Sequence, residues 1–400
     1  MKMNKLISAL LALTLTLPVC ACSFAESDTV TLAELKATAP ESVSFTIGGE
    51  VYDAPVILPE ADEISLLLCK HTAFDTSDLR EKYPWTKGTS SLERKADSYS
   101  HFAGSPEINY NVGTWSDLYG KTDVSTRQTL PIGETPPENT LTTDDVLKLV
   151  QARVAEFGGD PSVDLRVWRA TAMSGLYRMK MSQYTSPDGK VSFRMPAIDP
   201  EQPIENASMG AWNVSIAQYI GGMPILPGIY FPEEERDYVH LFDYVCGAMI
   251  YILNKDVMQM SACTAEVVNT LAADLPLAPF QMVADAIQQR IDEGWLQSVY
   301  RITLGYTPVP VRGEAFISHD PGSDGAPNAA ARCVLVPTWN VEGYDLKDRS
   351  TREMMGYTAP DRQTVLHVDP SQSYRYEVRF DAQTGEPLKY YEYSLEGNAQ

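Results

Sequence analysis

The 400 residues carry 53 acidic against 32 basic side chains, a net charge of −21, with 44% hydrophobic and 21% charged residues. Such a surface repels phosphate backbones and anionic headgroups, which excludes nucleic acid as a partner. The length and the apolar fraction suffice to bury more than one core, and two or three domains are expected.

The chain opens on "MKMNKLISALLALTLTLPVCACS", in which Lys2 and Lys5 precede an apolar run from Leu6 to Val19 and then cysteines among small residues. This is the layout of an export signal. The run falls short of the roughly 20 apolar residues that a membrane-spanning helix needs. Cys22 has the small Ala21 directly before it and the aliphatic Val19 three positions before, whereas Cys20 would have the bulky Val19 at the small position. The segment resembles a bacterial lipobox with Cys22 as the lipid-attachment residue. The competing reading is ordinary secretion, with cleavage after Ala25 and a mature chain beginning at Glu26. The lipobox implies a signal peptide over residues 1–21, a polar tether over 22–42, and a protein anchored by its acyl chains to the extracytoplasmic face of the cell membrane. Loss of Lys2 and Lys5 would take the net charge from −21 to −23.

Beyond the tether, short strands are expected at Val43 to Gly48, Val51 to Leu58 and Glu63 to His71, separated by Gly, Pro and acidic turns. A short helix is expected at "DTSDLREKY". In the polar stretch that follows, only "INYNVGTWSDLYG" reads as a strand, and "PIGETPPEN" reads as a linker. These segments form a β-rich N-terminal region, residues 43–135.

Two amphipathic helices come next. In "LTTDDVLKLVQARVAEFGG", Val146, Leu149, Val150, Val154 and Phe157 recur at helical spacing; Thr142 caps the start, with Asp145 three residues on, and Gly158 ends it. In "LAPFQMVADAIQQRIDEGW" the stripe is Phe280, Val283, Ile287 and Ile291, with Pro279 in the first turn and Gly294 at the end. Similar words follow each helix in the same order. "VWRAT" (Val167 to Thr171) matches "VYRIT" (Val299 to Thr303), and "WNV" occurs at Trp212 to Val214 and again at Trp339 to Val341. Each unit closes on a strand, a glycine turn and a strand: "VHLFDYVCGAMIYIL" in the first, "YRYEVRFDAQTGEPLKYYEY" in the second. Gly158 to Gly247 spans 89 positions and Gly294 to Gly385 spans 91. The fold class expected is therefore α+β, with two repeated units of one helix packed on an antiparallel sheet, residues 136–272 and 273–400, behind the N-terminal region.

In the second hairpin Tyr376, Val378 and Phe380 alternate toward one face, Asp381 and Thr384 form the turn, Gly385 suits a left-handed position, and Tyr390 and Tyr393 lie on the returning arm. This ending, with its "DAQTG" turn, resembles that of a PepSY module. "WNVSIAQYIGGMPILPG" is similar to the central strands of the YycH/YycI-like extracytoplasmic regulators. The layout as a whole resembles uncharacterised lipoproteins of Firmicutes that carry a domain of unknown function. In the first unit "DYVCG" stands where the PepSY turn would be. The resemblance spans residues 141–400 and implies inhibition, regulation or binding of other envelope proteins; it carries over no catalytic residue.

Chemistry-bearing motifs are missing. There is no His-Glu-x-x-His, Gly-x-Ser-x-Gly, phosphate-cradling Gly-x-x-x-x-Gly-Lys or Gly-x-Gly-x-x-Gly. The five histidines, His71, His101, His240, His319 and His367, are scattered. Cys69, Cys246, Cys263 and Cys333 show no zinc spacing and read as buried thiols, with one or two disulfides open in an exported chain. Glu233 to Glu235 read as a solvated turn, and Ser318 to Gly325 lack the ligand pattern of an EF-hand. No cofactor and no metal are expected. The 21 tyrosines and six tryptophans read chiefly as core and cross-strand packing.

The sequence reading is thus a lipid-anchored protein that acts by protein–protein contact, in a regulatory or inhibitory role, and not an enzyme. The alternative is a cell-surface glycan or peptide binder, or an unrecognised hydrolase. The anchor has a direct test: labelled palmitate should enter the wild-type protein and the Cys20→Ala variant, and fail to enter Cys22→Ala. Labelling of Cys22→Ala, or a mature N-terminus at Glu26, contradicts it.

Overall fold

A computed structural model describes residues 29–83, 103–105, 107–111, 127–133, 140–185, 192–203, 211–227, 247–253, 256–293, 296, 299–314, 331–344, 375–388 and 393–395. Cys22, Cys246, Gly294, Glu233 to Glu235, Ser318 to Gly325, Tyr390 and every histidine but His71 lie outside them. The fold is mixed α+β, rich in strand and dominated by antiparallel pairing.

Among the described residues there are two large sheets. The first runs in the order β6 (Ile108–Asn111), β13 (Asp256–Cys263), β12 (Gly247–Leu253), β10 (Ala211–Ile220), β8 (Asp164–Thr185), β7 (Arg127–Gly133), with β9 (Ser192–Pro203) also on β8 and β11 (Met223–Pro224) on β10. The second runs β1 (Ser42–Ile47), β2 (Glu50–Ile57), β15 (Arg301–Pro310), β16 (Arg332–Tyr344), β3 (Leu66–His71), β14 (Ala265–Ala272), with β17 (Arg375–Asp381) also on β16. Among the strand pairs of the described residues, β2 and β15 alone run in parallel, Val56 and Ile57 lying opposite Ile302 and Thr303; isolated parallel bridges join Ile225 to Tyr306 and Val311 to Tyr393.

Each sheet carries one long helix on one face, for the reason the periodicity gives. Helix α3 (Thr143–Glu156) starts at Thr142, whose hydroxyl accepts from the Asp145 amide at 3.2 Å, and buries Val146, Val150 and Val154 with Phe157 against Trp212, Val214 and Ile216. Helix α4 (Phe280–Asp292) takes Pro279 as its N-cap, one position before the first turn expected for it, and buries Phe280, Val283, Ile287 and Ile291 against Trp339 and Val341. The Phe280 and Trp339 rings meet edge to face, with centroids 5.3 Å apart. The words that match in sequence also match in register. Thr171 lies opposite Asn213 and Thr303 opposite Asn340; Ala170 lies opposite Val214 and Ile302 opposite Val341.

Several expected boundaries do not hold. Residues 22–42 do not all form a tether: Val30 bridges Leu277, and α1 (Leu32–Thr38), started by a Thr31–Glu34 capping box, buries Leu32 and Leu35 in the core of the second sheet. Two leucines three positions apart are a one-turn apolar stripe too short to stand out among polar neighbours. Residues 43–135 are not a separate region either. β1, β2 and β3 belong to the second sheet, while β4 (Phe74–Asp75), which pairs with β5 (Ala103–Ser105), α2 (Leu79–Lys82) and β6 pack with the first: Phe74, Leu79, Ile108 and Tyr110 share its core. β14, expected in the first unit, is the last strand of the second sheet. "PIGETPPEN" begins inside β7.

The C-terminal hairpin forms as its residues dictate. The Asp381 carboxylate accepts from the Gln383 and Thr384 amides at 2.8 and 3.0 Å, and the Gly385 amide donates to the Asp381 carbonyl at 2.8 Å. Gly385 sits at φ +73°, which a residue with a Cβ enters at a cost of about 1–2 kcal/mol. In the first sheet the strand opposite Trp212 is β12, with Ile252 facing it as Phe380 faces Trp339. β12 begins at Gly247, so the strand corresponding to β17 follows that glycine instead of preceding it; residues 238–246 lie outside the described set.

Candidate functional site

Alternation along the strands sends Trp339 and Val341 to α4 and turns Thr338, Asn340 and Glu342 the other way, together with Arg301, Thr303 and Thr307 on β15 and Arg379 on β17. A polar face of this kind would normally meet water. Here Thr303, Thr307, Thr338, Asn340, Glu342 and Arg379 are all buried. In the first sheet Arg169 lies opposite Ser215, on the side away from α3, and reaches across to Glu342. The two sheets therefore meet through their polar faces, with the helices outermost.

Glu342 is the centre of this layer. Its side chain is wholly buried; one carboxylate oxygen accepts from Arg169 Nη2 at 2.6 Å and from the Tyr300 hydroxyl at 2.9 Å, the other from Nε and Nη2 of Arg301. Arg301 also lies over the Trp168 ring, 4.7 Å from its centroid. Arg169 and Arg301 are the central residues of the two matched words, and Trp168 and Tyr300 are the aromatic residues beside them. Two corresponding positions of the chain thus converge on one carboxylate. Next to it, Glu377 lies 3.4 Å from Arg379 and 3.9 Å from Arg169, and Arg379 donates to Thr307, which shares a 2.6 Å hydrogen bond with Thr338. A charged residue in the middle of an otherwise apolar strand word was the signal available in the sequence; the words are visible there, but not the common target of their arginines.

A cleft of about 220 Å³ opens at the edge of this layer, between the end of β2, β8, β10 and β15. Ile57, Leu58 and Leu304 supply apolar wall. Arg166 and Arg301 supply charge, each stacked on an aromatic ring: Arg166 lies 4.2 Å from the Tyr219 centroid. Close approach of the two halves holds the cleft shut at one end. Leu226 N donates to Tyr306 O at 2.9 Å, and a Cβ on Gly305 would lie 2.7 Å from Leu226 Cδ2 and 2.8 Å from Pro224 O. Gln218 extends the stitching, its side-chain amide bonding both the N–H and the carbonyl of Ala265.

Cys69, Cys263 and Cys333 are buried, and no disulfide joins any two of them. Burial pushes the Cys69 thiol up to about 12 and raises Cys333 as well, which keeps both protonated and unreactive. Among the described residues no group of His, Cys, Asp and Glu could hold a metal ion, and no helix is long and apolar enough to cross a membrane.

No protein-family profile matches the chain, and no curated protein matches it. Among solved structures it is similar to an uncharacterized protein from Eubacterium rectale ATCC 33656, with a TM-score of 0.45 and 12% identity over 90% of this chain and 98% of that one.

The charged layer should make stability depend on pH. Burial pushes the Glu377 carboxyl above the ordinary glutamate range; Arg379 opposes the shift, Glu342 adds to it and Arg169 opposes it, with burial prevailing. Between the ordinary value and the raised one, the folded chain holds a proton that the unfolded chain has released. The stability this confers is present below that window and is lost as pH rises through it. Urea midpoints measured across the window should fall with rising pH for the wild type and fall less for Glu377→Gln. Parallel curves contradict the assignment.

Proposed function

We propose that this chain is a lipid-anchored extracytoplasmic protein, held by Cys22, that acts by binding another envelope protein in a regulatory or inhibitory role and without catalysis. It is built, on this reading, from a duplicated PepSY-like or YycH/YycI-like helix-and-sheet unit. The identical register of the matched words, Thr171 on Asn213 and Thr303 on Asn340, supports the duplication. The observation that carries the binding role is the edge strand β14. Its residues Glu266 to Thr270 are exposed in succession, and Val267 and Val268 are 46% and 49% exposed. Large apolar side chains side by side on a surface are a feature of contact sites.

The pairing of β14 with β3 is broken between Val267 and Asn269 and again between Thr270 and Ala272. Bulges twist an edge and discourage a further strand from adding to it. A partner is therefore met by the side chains of this edge, instead of by extension of the ladder. The polar groups in the interior also favour contact over turnover. Glu342 is engaged by two arginines and a tyrosine, and the buried thiols are held protonated, so these groups are spent on holding the fold. The glycan-binding alternative needs open aromatic faces, but the rings of Trp168 and Tyr219 each carry a guanidinium group.

A photo-crosslinking residue at position 268 should capture one envelope protein in cells. The same residue at Gln281, exposed on α4, should not, and Val267→Ser should reduce the adduct. Equal capture at both positions contradicts the surface. Hydrolysis of peptide, ester or glycan substrates by residues 26–400, abolished by a single substitution, contradicts the non-catalytic role.

A further inference from the structure

The cleft between the sheets holds two guanidinium groups that are not equally occupied. Arg166 gives Nε and Nη2 to the Asp164 carboxylate at 3.1 and 2.9 Å, and its remaining Nη1 lies 3.0 Å from a carboxylate oxygen of Glu60. Arg301 gives Nε and Nη2 to Glu342, and its Nη1 has no partner among the described residues. The Glu60 side chain is 74% exposed and makes this one ion pair among the described residues, of the kind that adds little because water screens it. Asp164, by contrast, takes two bonds from Arg166, and Glu342 takes two from Arg301 besides those from Arg169 and Tyr300. Glu60 is the one carboxylate in the cleft that another carboxylate could replace at little cost.

The rest of the cleft suits an acid with an apolar body. Ile57 is a large apolar side chain left 41% exposed there, beside Leu58 and Leu304. Two buried donors border the same space without a partner among the described residues: the Thr303 hydroxyl, on a residue only 1% exposed, and the Trp168 indole N–H. A planar guanidinium fixed on an aromatic ring is preorganised for a carboxylate, since little side-chain freedom remains to be lost. Charge sets the valence. Arg166, Arg169 and Arg301 are balanced by Glu60, Asp164 and Glu342, so a monoanion that takes the place of Glu60 on Arg166 leaves the number of carboxylates on that guanidinium unchanged. A dianion would add charge beside Asp164 and Glu342 in a protein already at −21.

We propose that this cleft binds a small organic carboxylate of about one amino acid's bulk, on Nη1 of Arg166 and Arg301, and that the Glu60 side chain is an internal occupant which the ligand displaces. The carboxylate could belong to a free acid or to the C-terminal residue of a peptide, and the two are separable.

Calorimetric titration of the intact protein with 3-phenylpropanoate tests the site, with 3-phenylpropanamide as its uncharged counterpart. The acid should bind and the amide should not. Glu60→Gln removes the competing carboxylate and should tighten binding by about two- to fivefold, the range that relief of an exposed ion pair allows. Arg166→Gln, in which the 35% exposed side chain keeps its position but loses its charge, should weaken binding at least tenfold with an unchanged melting temperature. Equal binding of acid and amide overturns the proposal, as does a Glu60→Gln variant that binds no tighter than the wild type. A tripeptide Gly-Gly-Phe with a free C-terminus that binds more tightly than 3-phenylpropanoate, and loses affinity on amidation, identifies a peptide terminus as the ligand. Tighter binding of the free acid identifies a metabolite-sized acid, and failure of both to bind overturns the site.

Discussion

The structure depends on one carboxylate. Glu342 is buried without solvent contact and draws Arg169 from one sheet, and Arg301 and Tyr300 from the other, onto its two oxygens. A buried charge left alone is costly, so once Glu342 is placed by the alternation of β16, its partners must be brought to it. Arg301 is its direct neighbour across the ladder with β15, which local pairing supplies. Arg169 is 173 residues away and can arrive only if the first sheet docks face to face on the second. The ion pair therefore fixes how the halves meet, and such pairs contribute more to a unique arrangement than to net stability.

This constraint explains the order of the layers. In an ordinary helix-on-sheet unit the helix covers the apolar face and water covers the polar one. Here α3 and α4 cover the faces that carry Trp212 and Trp339, and the polar faces meet each other. Packing polar surfaces together calls for their groups to pair, as the run from Arg379 through Thr307 to Thr338 does, while the Thr303 hydroxyl and the Asn340 side-chain amide find no partner among the described residues. The cleft lies where this layer reaches the surface, and it inherits both the arginines and the aromatic rings on which they rest.

The helices are legible because their apolar stripes run for about three turns and the α3 cap is explicit: Thr142 and the buried faces of α3 and α4 stand where the spacing puts them. So are β1, β2 and β3 as strands, and the turn at Asp381 to Gly385. What the sequence did not disclose was membership. β3 and β14 pair with each other although Leu66 and Ala272 are 206 positions apart, and nothing in a local pattern says which sheet a strand will join. The short helix α1 reads as tether in sequence because two leucines among polar residues make no visible period. The cross-sheet site was hidden for the same reason as the sheet order: Arg169 and Glu342 look like two ordinary charges until the faces that carry them are known to be buried.

A protein organised in this way uses its charged interior to set geometry and leaves an edge strand and a small cleft as its outward-facing features. The central claim is that Arg169 and Glu342 act as one element joining the sheets. A double-mutant cycle on urea unfolding, with Arg169→Met, Glu342→Gln and the pair, measures that directly. The account predicts a coupling energy of about 1–3 kcal/mol, as expected for residues in one buried network. Effects that add to within about 0.5 kcal/mol, as for independent sites, would contradict it.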